Sequence, residues 1–207
     1  FFVSLTFFMQ ASLQMGMPGQ GQVNINNMAI RPLLQNVSVV ALFVLPLITM
    51  RTYAEEKRSG TIALLLTSPL TVALYALMLA VTWIHIGILF IYGNPEWKPI
   101  LSGYLGLLLM GASFLSIGLL ISSLTKNQIV AGMATFAVLL LLWTLSWMAD
   151  SAGPAMQVVL RGLSLTDHFD DFSKGVIALN HLVYYLSFIT FGLFLTAKSV
   201  DSERWRG

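Results

Sequence analysis

Long apolar runs separated by short polar segments dominate the chain. Five of these runs approach the length of about 20 residues that a helix needs to cross a membrane. They predict spans at residues 33–50, 72–92, 100–124, 129–148 and 181–197. Residues 1–13 are apolar but too short to span, and we interpret them as the end of a first span that begins before Phe1. The pattern predicts an all-α polytopic membrane helix bundle with six spans in the complete chain.

Two of the polar segments are long enough to have structure or a role of their own. Residues 14–32, rich in Gln, Asn, Gly and Pro, are predicted to form an outer loop. Residues 149–180 are predicted to form short amphipathic helices on the outer face before the last span. Thr166 or Asp167 is the expected cap of one of them, with an apolar face made of Phe169, Phe172, Val176 and Ile177.

Residues 51–71, between spans two and three, hold more than a simple connection needs. Thr52 and Glu55 form a capping-box pattern, and Gly60 follows as a break. Residues 62–66 are apolar on all sides, and Pro69 is predicted to stop the second helical stretch. The pattern predicts a short helix across the span ends with a charged side exposed. A juxtamembrane charge cluster that only holds the helix ends in the interface is the alternative.

Composition and charge narrow the class of protein. Hydrophobic residues make up 57% of the 207 residues and charged residues 10%, whereas a soluble domain carries about 25% charged residues. This excludes a soluble domain, a disordered chain and a nucleic-acid-binding module. The absence of Cys excludes a disulfide scaffold, a Cys-ligated zinc site and a thiol nucleophile.

The basic residues predict the orientation, because cytoplasmic loops carry an excess of Lys and Arg. Alternating sides puts seven of the 11 together and four opposite. The seven, expected in the cytoplasm with residues 51–71 and the tail at 198–207, are Arg51, Lys57, Arg58, Lys126, Lys198, Arg204 and Arg206. The four expected outside are Arg31, Lys98, Arg161 and Lys174.

The sequence of residues 51–71, R-x-x-A-E-E-K-R-S-G-T-I-x-L-L-L-T-S-P-L-T, resembles the signature of the permease subunits of ABC-2 type transporters. The likeness is closest to the GldF-like, gliding-motility branch. It extends to N-M-x-x-R-P-L at 27–33, to D-H-F-D-D-F-x-K-G-V-I at 167–177, and to the segments 184–187 and 204–206. Where the family has a polar stretch before span three, Thr71 is followed here by an apolar run.

The resemblance implies a permease of the bacterial inner membrane that pairs with a second copy or a similar permease and binds a cytoplasmic ABC ATPase. ATP and Mg would be bound by that ATPase, with no cofactor in this chain. A periplasmic auxiliary subunit is a further candidate partner, beside the lipid bilayer. The implied coupling helix contains Glu55, Glu56, Lys57, Arg58, Gly60 and Thr61. The implied outer gate helix contains Asp167, His168, Asp170, Asp171 and Lys174.

Catalytic functions have weaker support in the sequence. There is no G-x-x-x-x-G-K-[ST] loop for ATP and no hydrolase motif, so we expect a transporter subunit and not an enzyme. His85 is a candidate intramembrane polar site, although a neutral histidine bonded between helices is equally ordinary. His168, Asp170 and Asp171 are candidate ligands for a metal ion on the outer face, although a solvated acidic helix face is the commoner arrangement. The alternative function is a membrane anchor that transmits mechanical work without moving a substrate.

Overall fold

The computed structural model describes residues 26–50, 68–92 and 95–204, and every regular element among them is helical. A π-helical turn, Asn26–Ile30, leads into the first α-helix. The α-helices are α1 (Arg31–Thr49), α2 (Ser68–Tyr92), α3 (Trp97–Leu124), α4 (Gln128–Asp150), α5 (Pro154–Leu163), α6 (Leu165–Ser173) and α7 (Leu179–Arg204).

Four of the described helices are long and apolar enough to cross a membrane. The spanning stretches are Arg31–Met50, Trp97–Leu124, Gln128–Asp150 and Leu179–Val200. In α2, which was also predicted to span, the apolar stretch is Ala73–Ile88. The all-α membrane-embedded class is therefore confirmed for the described part of the chain.

Helix α3 forms the centre of the bundle. It contacts α7 and α1 most extensively, then α6 and α4. Small residues allow these approaches: the Cα of Gly103 lies against Leu34 of α1, and that of Gly118 lies against Thr49. Ser116 packs against Gly192 of α7 in the same way. Because α3 is surrounded, most of its side chains are buried against protein and few are left to face lipid.

The ends of the bundle differ. Arg31 at the start of α1 lies beside α6, and Phe90 near the end of α2 stacks on Trp97 at the start of α3. These helix ends, together with α5 and α6, define the short-helix end. At the opposite end, Thr49 packs against Gly118. The end of α1 and the start of α2, which flank residues 51–67 in the sequence, therefore both lie toward the end of the bundle opposite the short-helix end.

Local chemistry corrects two sequence-based boundaries and adds to a third. The helical stretch that Pro69 was predicted to stop lies outside the described residues; Pro69 itself is the second residue of α2, where its missing N–H costs nothing because first-turn amides have no intrahelical partner. Ser164 caps α6, with its hydroxyl accepting from the Asp167 amide, in place of the predicted Thr166 or Asp167. The expected tail from residue 198 is helical as far as Arg204 in α7.

A third correction concerns the apolar face of α6. Phe169 and Phe172 are buried as predicted, but Val176 and Ile177 are exposed and lie beyond the helix. The helix ends at Ser173 because Gly175 adopts a φ of 92°, and its amide donates to the carbonyl of Phe172. A left-handed glycine after a helix satisfies the last carbonyls and ends the helical repeat.

Candidate functional site at the short-helix end

Helix α6 is seated in a notch of α3. Phe172 is fully buried, and its ring and that of Phe169 lie where a side chain on Gly106 would otherwise project. The hydroxyl of buried Ser102 donates to the carbonyl of Phe172 over 2.8 Å. The Ser102 and Gly106 pair, two small residues four positions apart on α3, therefore receives the short helix α6.

The outward side of α6 carries a network of charges. Asp170 accepts from the guanidinium of Arg31 at the start of α1, and from Nζ of Lys174 over 2.6 Å. Burial alone would raise the pKa of Asp170, but the bonds from Lys174 and Arg31 outweigh burial and lower the pKa. The hydrogen bond to Asp170 raises the pKa of Lys174. Asp170 thus joins α6 to α1 as an ionised carboxylate.

Two histidines join α6 to α7. Nε2 of His181 lies 2.8 Å from Oδ2 of Asp171, and Nδ1 of His168 lies 2.8 Å from the carbonyl oxygen of Ser164. The His168 ring stacks on Tyr184 with centroids 3.8 Å apart. Desolvation lowers the pKa of His168, and the neighbouring His181 acts in the same direction, against the raising effect of the Ser164 carbonyl.

Hydroxyl groups complete the attachment of α6 to its neighbours. Ser146 of α4 donates to Oδ1 of Asp167 over 2.9 Å, while Oδ2 of the same carboxylate is buried without a partner among the described residues. Tyr185 of α7 donates to the carbonyl of Leu165 over 2.7 Å. Helix α6 is therefore fixed by side chains from α1, α3, α4 and α7, and the short-helix end is closed by a polar network.

The structure brings the five predicted gate residues together. Asp167, His168, Asp170 and Asp171 lie in α6, and Lys174 is its C-terminal cap residue. His85 lies elsewhere, in α2, with a buried Nδ1 that has no hydrogen-bond partner within the described ranges. The predicted coupling residues lie outside the described residues: they are Glu55, Glu56, Lys57, Arg58, Gly60 and Thr61.

Several members of the network were not identified as site residues from the sequence. Arg31, Tyr184 and Tyr185 lie in the segments that carry the family resemblance, and in the fold these segments meet around α6. His181 lies outside those segments. The sequence contained a signal for the Arg31 and Asp170 pair. A basic residue lies at the start of one span, acidic residues lie before another, and both positions were predicted on the same side of the membrane.

The chemistry of the network favours positioning over catalysis. Each carboxylate of α6 accepts from at least one side chain, and the described residues contain no group of three or more His, Asp or Glu arranged to hold a metal ion. The pairs of opposite charge and the stacked rings join separate helices. Such an arrangement can hold α6 over the end of the bundle and release it when a charge changes.

The chain was compared with known proteins at three levels. No family model, no curated protein and no solved structure matches it. The functional inference below therefore depends on the residue patterns of the sequence and on the described geometry.

Proposed function

We propose that this protein is the membrane-spanning permease subunit of an ABC-2 type transporter, in which a separate cytoplasmic ATPase drives export or conformational work across the bacterial inner membrane. The observation that carries the proposal is the sequence pattern of residues 51–71. Its charged half would give a partner register and electrostatic complementarity, and its apolar half would hold it to the bundle.

The arrangement of the helices supports this assignment. The coupling residues are flanked by the end of α1 and the start of α2, toward the end of the bundle where Thr49 packs against Gly118. The predicted gate residues of α6 are at the other end, beside Arg31. A permease needs a docking element on the ATPase side and a closure on the far side, and the two predicted elements fit these two positions.

The packing of α3 bears on where a substrate would pass. The small residues of α3 are occupied by side chains of the same chain, such as Leu34, Tyr75 and Phe172. A pathway in our proposal therefore runs between two permease copies and not through one copy. The outward apolar surfaces of the spans favour a lipid-like or hydrophobic substrate over a hydrophilic one.

Charge reversal in the coupling segment tests the proposal. The full chain is reconstituted in liposomes with the ATPase that co-purifies with it, and ATP hydrolysis is measured with and without the permease. We expect Glu55→Lys combined with Glu56→Lys to abolish stimulation of the ATPase, because both carboxylates would face the partner. Glu96→Lys, a reversal at an exposed position of the short-helix end, is the matched control and should leave stimulation intact.

Two results count against this role. One is unchanged stimulation in the double reversal; the other is the absence of any nucleotide-binding subunit from the purified complex. The second candidate function, a membrane anchor that transmits force, is favoured by the close packing around α3. If stimulation of the ATPase depends on Glu55 and Glu56 but no member of a panel of lipid-like substrates is transported, the membrane anchor is the better candidate.

A further inference from the structure

The two histidines at the short-helix end are in direct contact with each other. The rings of His168 and His181 meet edge to face, with centroids 4.9 Å apart and planes at 90°. Because a carbonyl oxygen only accepts, Nδ1 of His168 must carry the proton of its bond to Ser164. Nε2 of His181 likewise donates to Asp171. Both bonds exist with neutral rings, so the contact is satisfied when neither ring is charged.

The surroundings can balance one added charge more readily than two. A positive charge on His181 would lie next to the Asp171 carboxylate, to which Nε2 already donates. Asp170 is already paired with Arg31 and Lys174, and these two cations offset its negative charge. The charged and titratable groups that face the two rings are Asp167, Asp170, Asp171 and Lys174 on α6 and its cap, Arg31 on α1, and Tyr184 and Tyr185 on α7.

A second proton would oppose the contact itself. With both rings charged, two cations would lie about 5 Å apart in a half-buried site, where like charges repel more strongly than in water. The proton added to His181 would be on Nδ1, which is buried with no acceptor in the described residues, and this adds to the repulsion when His168 is also charged. The connection between α6 and α7 contains Gly175 with a φ of 92°, a conformation that glycine adopts readily.

We propose that His168 and His181 form a proton-operated latch that holds α6 to α7 when the pair carries at most one proton and releases it when both rings are protonated. Release would loosen α6 from α7 at the Gly175 connection, while its contacts with α1, α3 and α4 remain. The latch would respond to pH on the side of the membrane where α5 and α6 lie. This inference does not depend on the proposed transport function.

Distance measurement between two spin labels tests the latch. The chain has no Cys, so two introduced cysteines are the only labelling sites. Gly162→Cys lies at the end of α5, next to α6, and Ser187→Cys lies on α7. A side chain at Gly162 meets no atom within 4 Å, and Ser187 is exposed. With the full chain in lipid nanodiscs, we expect the interlabel distance to rise by roughly 2 Å or more between about pH 7.5 and about pH 5.

Three substitutions assign the response, since the chain has three histidines. His168→Asn retains a donor toward the Ser164 carbonyl, and His181→Gln retains a donor toward Asp171, but neither can take up a proton. We expect each to remove the acid-induced distance change, while His85→Asn leaves it intact. A distance change that persists in either His168→Asn or His181→Gln, or no distance change in the unsubstituted background, overturns the latch. If one variant fails to fold, the other still decides.

Discussion

Helices α3 and α4 have the same apolar character but different surroundings. Their most apolar 18-residue stretches are equal in mean hydropathy, yet 67% of the α3 stretch is buried inside the protein and only 28% of the α4 stretch. The two helices would be indistinguishable in a hydropathy scan. Hydropathy therefore identifies a membrane helix without indicating whether its neighbours are lipids or other helices.

The difference follows from side-chain size. Helix α3 contains four glycines and several serines whose positions are filled by residues of α1, α2, α6 and α7. Helix α4 instead exposes bulky residues such as Met133, Leu141 and Trp147. Without a hydrophobic driving force between helices in lipid, close approach at small residues is what selects the central helix. The four predictions below test this contrast, from the largest expected effect to the smallest.

Truncation of one leucine in each helix should give the largest difference in stability between α3 and α4. Leu107 of α3 is 1% exposed and Leu141 of α4 is 58% exposed. We expect Leu107→Ala to lower the free energy of unfolding by about 2–5 kcal/mol, because it leaves a cavity among packed helices. Leu141→Ala should cost less than about 1 kcal/mol, because lipid fills the space. Equilibrium unfolding in mixed micelles measures both; equal losses would remove the contrast.

Adding a methyl group to a glycine should have opposite effects at two sites. At Gly111 of α3 a methyl group would overlap the ring of Tyr75, whereas at Gly87 of α2 it would meet no atom within 4 Å. We expect Gly111→Ala to destabilise by about 1–3 kcal/mol through overpacking. Gly87→Ala should stabilise by up to about 1 kcal/mol through helix propensity. The same unfolding assay applies, and destabilisation of similar size at both sites would contradict the packing argument.

Removal of a hydroxyl tests how α6 is held in the α3 notch. Ser102 is buried and donates to the carbonyl of Phe172 in α6, whereas Thr144 of α4 donates only within its own helix. We expect Ser102→Ala to lower the free energy of unfolding by about 1 kcal/mol. Thr144→Ala should change it by no more than about 0.5 kcal/mol. Limited proteolysis is the accompanying measurement. Helix α6 should lose protection from protease in Ser102→Ala but not in Thr144→Ala.

The ion pairs of α6, which packs against α3, should make the stability of the fold depend on pH in the acid range. Because the pKa of Asp170 is lowered in the folded state, the carboxylate stabilises the fold above its ordinary pKa of about 3.9. That stability is lost as the pH falls through the lowered folded-state pKa. We expect Asp170→Asn to flatten the decline in melting temperature below about pH 4. The control is Asp150→Asn on α4, where the carboxylate forms an exposed pair with Arg161 of α5. This variant should keep the decline in melting temperature.

The sequence predicted the helical class and the regions that α1, α3 and α4 would cover, because apolar runs of span length allow few other structures. It also predicted that Phe169 and Phe172 share an apolar face. It failed beyond Ser173, where a helical period was extended through Gly175 to Val176 and Ile177. The apolar period alone does not show where a helix ends; the local signal was Gly175, because a left-handed glycine lets the following amides bond to the last carbonyls of the helix.

The candidate site was only partly predictable for a related reason. The acidic residues of α6 were apparent as a cluster, but their partners lie on other helices: Arg31 is 139 residues from Asp170 in sequence, and His181 is on the following helix. Likewise, Ser102 and Gly106 were apparent as small residues, but whether they would receive a long helix or α6 was open. Such pairings depend on which helices become neighbours, and hydropathy carries no information on that choice.

By itself the sequence determined that this chain belongs in a membrane, because long runs of apolar side chains with so few charges leave too little polar surface to face water. It also concentrated charge into residues 51–71 and 167–174, the two segments on which the functional proposals depend. Only the tertiary structure decided that α3 is central, that α6 fills its notch, and that two histidines meet beside Asp171. The physical reason is that burial in lipid requires only apolar surface, whereas burial between helices requires side chains of complementary size and charge.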